Sequence, residues 1–184
     1  MTGKRTETET GPETGKIVSG WWRQSLRPGD GLETGAVRGF RARLRRAHGL
    51  LEIVSEPQFI ALHDDLAAAW KKRPDPVALA ALAHLLASVK KNAPHRIAQI
   101  FGMGDRPALS QLRFQHLIRT DALPELGEDL RRALPMIDYA CNVAALAVDF
   151  LNWNEQTRAR WCFDYFGKAS PETPAAAPEM EETE

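Results

Sequence analysis

Between residues 16 and 168, apolar positions recur every three or four residues, the period of one helix face, and almost nowhere alternate as a strand requires. The spacing predicts a first helix carrying Ile17, Val18, Trp21, Trp22 and Leu26 and ending before Pro28-Gly29. A second helix places Val37, Phe40, Leu44 and Ala47 on one seam. Ser55-Glu56-Pro57-Gln58 has the form of a capping box, with Ser at the N-cap, and would launch a helix burying Phe59, Leu62, Leu66 and Trp70. Asp75-Pro76 then opens VALAALAHLLASV, apolar on most sides and therefore the central buried helix.

Pro94 starts a short helix through Ile97 and Phe101, stopped by Gly102-Met103-Gly104. Pro107 begins another, with Phe114, Leu117 and Ile118 inward. Leu126, Leu130 and Leu134 mark the next, interrupted at Pro135. Met136–Trp153 follows, and after a break near Asn154 a last helix holds Trp161, Tyr165 and Phe166. The expectation is an all-α protein, a compact bundle of about eight or nine helices, dividing if at all into halves 16–104 and 105–168. Residues 1–15 (Thr, Glu, Gly) and 169–184 (ASPETPAAAPEMEETE) lack the apolar surface to offset their ordering entropy and read as disordered tails.

Charge changes this picture. The 24 Lys/Arg and 24 Asp/Glu cancel over the whole chain. The acids concentrate in the tails, and between residues 16 and 168 there remain 22 Lys/Arg against 16 Asp/Glu, an excess of +6. A basic body is what a phosphate binder presents. Two cysteines, Cys141 and Cys162, form no CxxC motif, and neither a leader-like apolar run nor a membrane-length segment stands in the sequence, so a cytoplasmic location without membrane association is expected.

VRGFRARLRRAHG, residues 37–49, concentrates the positive charge. At about 100° per residue the four seam residues span about 80°, and Arg38, Arg41 and Arg45 form an adjacent stripe about 60° wide. Arg43 and Arg46 lie on the far side. Solvated faces usually mix signs, yet no acid stands between Glu33 and Glu52. Phosphates would relieve the repulsion among these arginines, so the charge pattern favours phosphate binding by this helix. A second basic set comprises Arg113, His116 and Arg119 on one flank of a helix, followed by Arg131-Arg132. Lys90, Lys91 and Arg96 surround the Asn92-Ala93-Pro94 break. Cations near helix C-termini also complement the helix dipole, which is the competing explanation for these later residues.

Enzymatic alternatives rest on less. His63-Asp64, with His48 upstream and Asp138 or Asp149 downstream, has the order of a helical metal-dependent phosphohydrolase. His63, however, borders the apolar stripe of its helix, where an ordinary half-buried histidine is expected, so no metal site is assigned. Gly102-Met103-Gly104 is a turn and not a phosphate loop, since no strand precedes it and no Lys-Ser/Thr follows. Neither a catalytic residue nor a cofactor is expected. A helix-turn-helix regulator is a third reading. Trp21, Trp70, Trp153 and Trp161 sit at core positions, whereas Trp22, beside Trp21, is expected to face a neighbouring subunit.

The run LSQLRFQHLIRTDALPELGEDLRRAL, then VDFLNW, then RARWCFDYFG resembles the CasB family, the small subunit of the type I-E CRISPR surveillance complex, Cascade. The Trp-Trp segment and the FRARLRRA helix match it in kind and order, and the resemblance covers roughly residues 17–167. It implies a non-enzymatic helical subunit, present beside a second copy of itself. The implied neighbours are the large subunit and the backbone subunits that carry the guide RNA. There it would stabilise the R-loop by holding the displaced non-target strand of the target DNA on a basic surface, while pairing to the guide reads sequence. Carried onto this chain, the contacts are Arg41, Arg45, Arg46, Arg113, Arg119, Arg131 and Arg132, and more weakly Lys90 and Lys91. One departure is the apolar NVAALAVDF, where a basic surface would otherwise continue; that helix is expected to pack.

Overall fold

The computed structural model describes residues 11–29, 34–70 and 74–168, and among these it contains ten α-helices and one very short parallel strand pair. The helices are α1 (Gly11–Ser25), α2 (Gly35–Arg46), α3 (Leu50–Val54), α4 (Pro57–Trp70), α5 (Pro76–Leu86), α6 (Ile97–Gly102), α7 (Gln111–Arg119), α8 (Leu123–Ala133), α9 (Val143–Leu151) and α10 (Glu155–Tyr165). A 3₁₀ turn at Leu134–Ile137 follows α8.

Helix α5 forms the centre, as its pattern predicts. Asp75 caps it by accepting from the Val77 amide at 3.0 Å, Pro76 occupies the first turn, and Leu79, Leu82, Leu85 and Leu86 are buried. Helices α2, α3, α4, α8 and α9 pack around it, and α1 joins the same continuous core through α9 and α4. Helix α1 lies closely on α9, where a methyl group added at Gly15 would come within 3.2 Å of Ala144. Helices α6 and α10 meet even more tightly: a Cβ at Gly102 would fall 1.8 Å from the Tyr165 carbonyl oxygen, so only glycine fits there. The apolar α9 packs against α1 and α5 and presents no basic surface.

Several boundaries differ from those read in the sequence. Helix α1 begins at Gly11, inside the segment assigned to the N-terminal tail, because Thr14 is buried and accepts the Trp70 indole N–H at 2.6 Å. Residues 1–10 and 169–184 of the two expected tails lie outside the described residues. The Ser55 capping box does not form: the Ser55 hydroxyl donates back to the Glu52 carbonyl at 3.3 Å and closes α3. Residues 103–110 are a loop, so α7 starts at Gln111 and not at Pro107. The segment 136–153 is not one helix. Asp138 and Tyr139 take left-handed backbone angles (φ 52° and 57°), and Ala140–Cys141 pairs in parallel with Lys91–Asn92 before α9 begins.

Trp22 is a correction of substance. It is 1% exposed, and its indole N–H donates to the carbonyl of Leu86 at 3.2 Å. Leu86 ends α5, and its carbonyl also accepts from the Val89 amide at 3.1 Å, so the indole takes this oxygen's second lone pair and its own buried N–H is satisfied. Trp21 donates instead to the Gln58 carbonyl at 2.9 Å and meets Phe40 edge-on. Both indoles are buried because α1 is covered on one side by α9 and on another by α2 and α4.

Candidate nucleic-acid interface

The seam of α2 faces inward as its spacing requires, with Phe40, Leu44 and Ala47 buried. Thr34 caps its first turn by accepting from the Val37 amide, and three arginines crowd its last. These arginines have different fates. Arg41 is half-buried and donates to the Leu26 carbonyl at 3.3 Å, tying α2 to the end of α1. Arg43 grips Glu56 with two bonds of 2.5 and 2.8 Å. This guanidinium holds the Glu56 carboxyl below the usual carboxylate range. Arg43 is thus neutralised, against the expectation of five arginines without an acid, because the α3–α4 turn brings Glu56 to the helix from 13 residues away.

Arg45 and Arg46 remain exposed and have no ion-pair partner among the described residues. Although spacing alone set them on different sides of α2, both line a cleft of about 550 Å³ between the end of α2, α3, α5 and α8. His48, His84, Glu128 and Arg131 complete its polar lining. Arg131 pairs with Glu128 at 2.7 Å. His84 sits 3.4 Å from the same carboxylate, yet burial and then Arg131 push its imidazole below the ordinary histidine value.

A second groove, of about 710 Å³, runs between α7 and α8. Arg113, His116, Arg119 and Arg132 line it together with the exposed apolar side chains of Leu112 and Met136. Arg132 bonds Asp129 at 3.3 Å, whereas Arg113 and Arg119 are exposed and without an ion pair among the described residues. Arg131 and Arg132, adjacent in sequence and about 100° apart on α8, therefore serve two different grooves. Helix α8 divides the basic surface into two.

Lys90 and Lys91 stand on the exposed strand edge, Lys90 with its ammonium 3.8 Å from the centroid of the Tyr139 ring. Arg96 is partly buried and turns its guanidinium inward, away from this surface. It joins Arg160 and the Trp161 indole on Asp149, a carboxylate only 2% exposed. Burial pushes the Asp149 carboxyl up, against the pull of both guanidiniums.

The features that suggested metal chemistry are otherwise engaged. The His63 ring nitrogen Nε2 lies 3.2 Å from the Pro74 carbonyl, and Asp64 points to solvent. Asp149 is held by its arginines, and no group of three or more His, Cys, Asp or Glu able to hold a metal occurs among the described residues. Burial pushes the Cys141 thiol up to about 12, the opposite of an activated nucleophile. No described helix is long and apolar enough to cross a membrane.

Sequence reading missed two exposed apolar side chains beside the grooves, Leu51 at 79% and Leu112 at 77%. A signal existed. Leu112 lies about 200° from Phe114 on α7, opposite the inward face, where a polar residue would be ordinary.

The model of the family described as CRISPR-associated protein Cse2 matches residues 40–166. The chain belongs to the Cse2 family. Cse2 is the CasB small subunit of type I-E Cascade, so the resemblance read in the sequence and the family agree. The matched segment runs from Phe40 on α2 to Phe166, just past α10, and contains both basic grooves. No curated protein and no solved structure matches the chain.

Proposed function

We propose that this Cse2-family Cascade subunit is non-catalytic and binds the displaced DNA strand along the two grooves flanking α8, stabilising the R-loop. The observation that carries this reading is the placement of Arg45, Arg46, Arg113 and Arg119: all exposed, none ion-paired among the described residues, two in each groove. Uncompensated like charges on adjoining surfaces repel each other, and a strand of phosphates removes that cost while releasing its own counterions. Nothing in such binding reads bases, which suits a complex in which guide pairing carries the specificity.

Arg131 and Arg132 contribute from α8 through guanidiniums already shared with Glu128 and Asp129, and Lys90 and Lys91 lengthen the path. Arg41 contributes from α2 while one of its guanidinium nitrogens also bonds the Leu26 carbonyl. The neighbours proposed are the large subunit, the guide-carrying backbone subunits with their RNA, and a second copy, in the cytoplasm. Leu51 and Leu112 are the apolar side chains offered to protein neighbours.

The test uses the assembled, guide-loaded complex on a matched target. Replacing Arg45, Arg46, Arg113 and Arg119 by Ala is expected to leave guide–target pairing intact and to expose the displaced strand to a single-strand nuclease. Unchanged protection in the variant complex would refute the groove assignment.

A further inference from the structure

The α7–α8 groove has a feature that a surface made only for phosphates would not need, exposed apolar side chains in its lining. Leu112 and Met136 line it, and both are among the most exposed apolar side chains described. Among its lining residues Asp129 is the one acid, and it is engaged by Arg132. An occupant matched to this groove is acidic with an apolar residue among its charges.

Such a segment exists in the same chain. Residues 169–184 carry Glu172, Glu179, Glu181, Glu182 and Glu184 and no Lys or Arg, with Met180 set between two of the glutamates. The described part of the chain ends close to the groove. Tyr165, the last residue of α10, stacks on Phe114 of α7 at 4.1 Å and donates its hydroxyl to the Leu109 carbonyl at 2.7 Å. Leu109 is itself a lining residue of the groove. The described chain stops at Lys168, three residues beyond Tyr165. Sixteen further residues can reach about 50 Å when extended, several times the length of a nine-residue helix. At this tether length the effective concentration of the tail at the groove is on the order of millimolar, so a weak contact suffices to fill it.

We infer that residues 169–184 dock in the α7–α8 groove in cis, Met180 over Leu112 and Met136 and the glutamates facing Arg113, Arg119 and Arg132. The docked tail keeps the groove from binding stray polyanions and leaves when a phosphate strand competes. The second half of this inference rests on the proposed strand binding; the docking does not.

The test places the photo-crosslinking residue p-benzoylphenylalanine at position 180 of the full chain and maps the products by mass spectrometry. Crosslinks concentrated on peptides holding Leu112 or Met136 are expected. They should fall several-fold in 0.5 M NaCl, about the loss expected when a few charge contacts are screened at a Debye length of about 4 Å. They should fall likewise when the five glutamates are replaced by Gln. Crosslinks scattered over the surface, or unmoved by salt and by the Gln replacements, overturn the docking. Adding a 20-mer of thymidylate then separates the two claims. Loss of the groove crosslinks supports both, whereas groove crosslinks that persist under saturating oligonucleotide keep the docking and overturn its displacement by the strand. Absent groove crosslinks alongside arginine-dependent oligonucleotide binding overturn the docking and keep the strand reading.

Discussion

The Asp149 carboxylate accepts the indole N–H of Trp161 at 2.8 Å while two guanidiniums, from Arg96 and Arg160, close on its oxygens. The three partners come from α10 and from the N-cap of α6, so one buried charge fastens both helices to α9. Asp149→Ala leaves two partly buried cations without their counter-ion and is expected to cost about 3–5 kcal/mol. Asp149→Asn, which keeps an acceptor for the indole, should cost less. Urea denaturation of both variants checks this, and a loss under about 1 kcal/mol for the alanine would show that the cluster is dispensable.

Gly102→Ala should be among the most damaging single-methyl additions in the protein. The added carbon would overlap the Tyr165 carbonyl at 1.8 Å, and backbone on both sides cannot yield without separating α6 from α10. Gly49→Ala, where the new methyl meets nothing within 4 Å, is the matched control and should change the melting temperature little. Comparable melting temperatures for the two variants would contradict the close approach.

Stability should fall as pH drops below about 6.5, before any carboxylate with an ordinary value is titrated. The His84 imidazole is pushed below its ordinary 6.5 by burial and by Arg131, with Glu128 opposing and His48 adding to the depression. The folded state therefore binds this proton less readily than the unfolded state. The contribution is complete above pH 6.5 and is lost as pH falls toward the depressed folded value. The Arg43–Glu56 pair also loses strength on acidification, but only below the ordinary Glu value of 4.5. His84→Gln should flatten the denaturation midpoint between pH 6.5 and 5. A slope unchanged by the substitution would assign the effect to another group.

Binding of the free chain to a single-stranded oligonucleotide should be weak, indifferent to sequence and steeply salt-dependent. Each lost phosphate contact lowers the slope of log K against log salt by about 0.7, so removing Arg45, Arg46, Arg113 and Arg119 together should reduce it by about 3. Removing Arg43 should do little, since its guanidinium is already committed to Glu56. Fluorescence anisotropy across a salt series distinguishes these outcomes.

The helical period alone set the all-α class, the inward seam of α2, the central place of α5 and the packing role of α9. Those depend on neighbours three or four residues apart, which a sequence displays directly. Composition likewise separated the acidic ends from a basic body, and the ordered series of arginine and aromatic positions was enough to indicate the family. Only the tertiary structure shows which partners several of these arginines meet. Glu56 reaches Arg43, the Leu26 carbonyl takes Arg41, and Asp149 takes Arg96, each across a separation in sequence that no local pattern reveals. Trp22 shows the same limit. Its neighbour Trp21 made a second buried indole look excessive, but α9 and α4 cover different sides of α1, and the end of α5 supplies the carbonyl that a buried N–H requires. Periodicity determines which face turns inward. What meets that face, and which charge survives unpaired beside it, is settled by contacts between elements that the chain brings together only on folding.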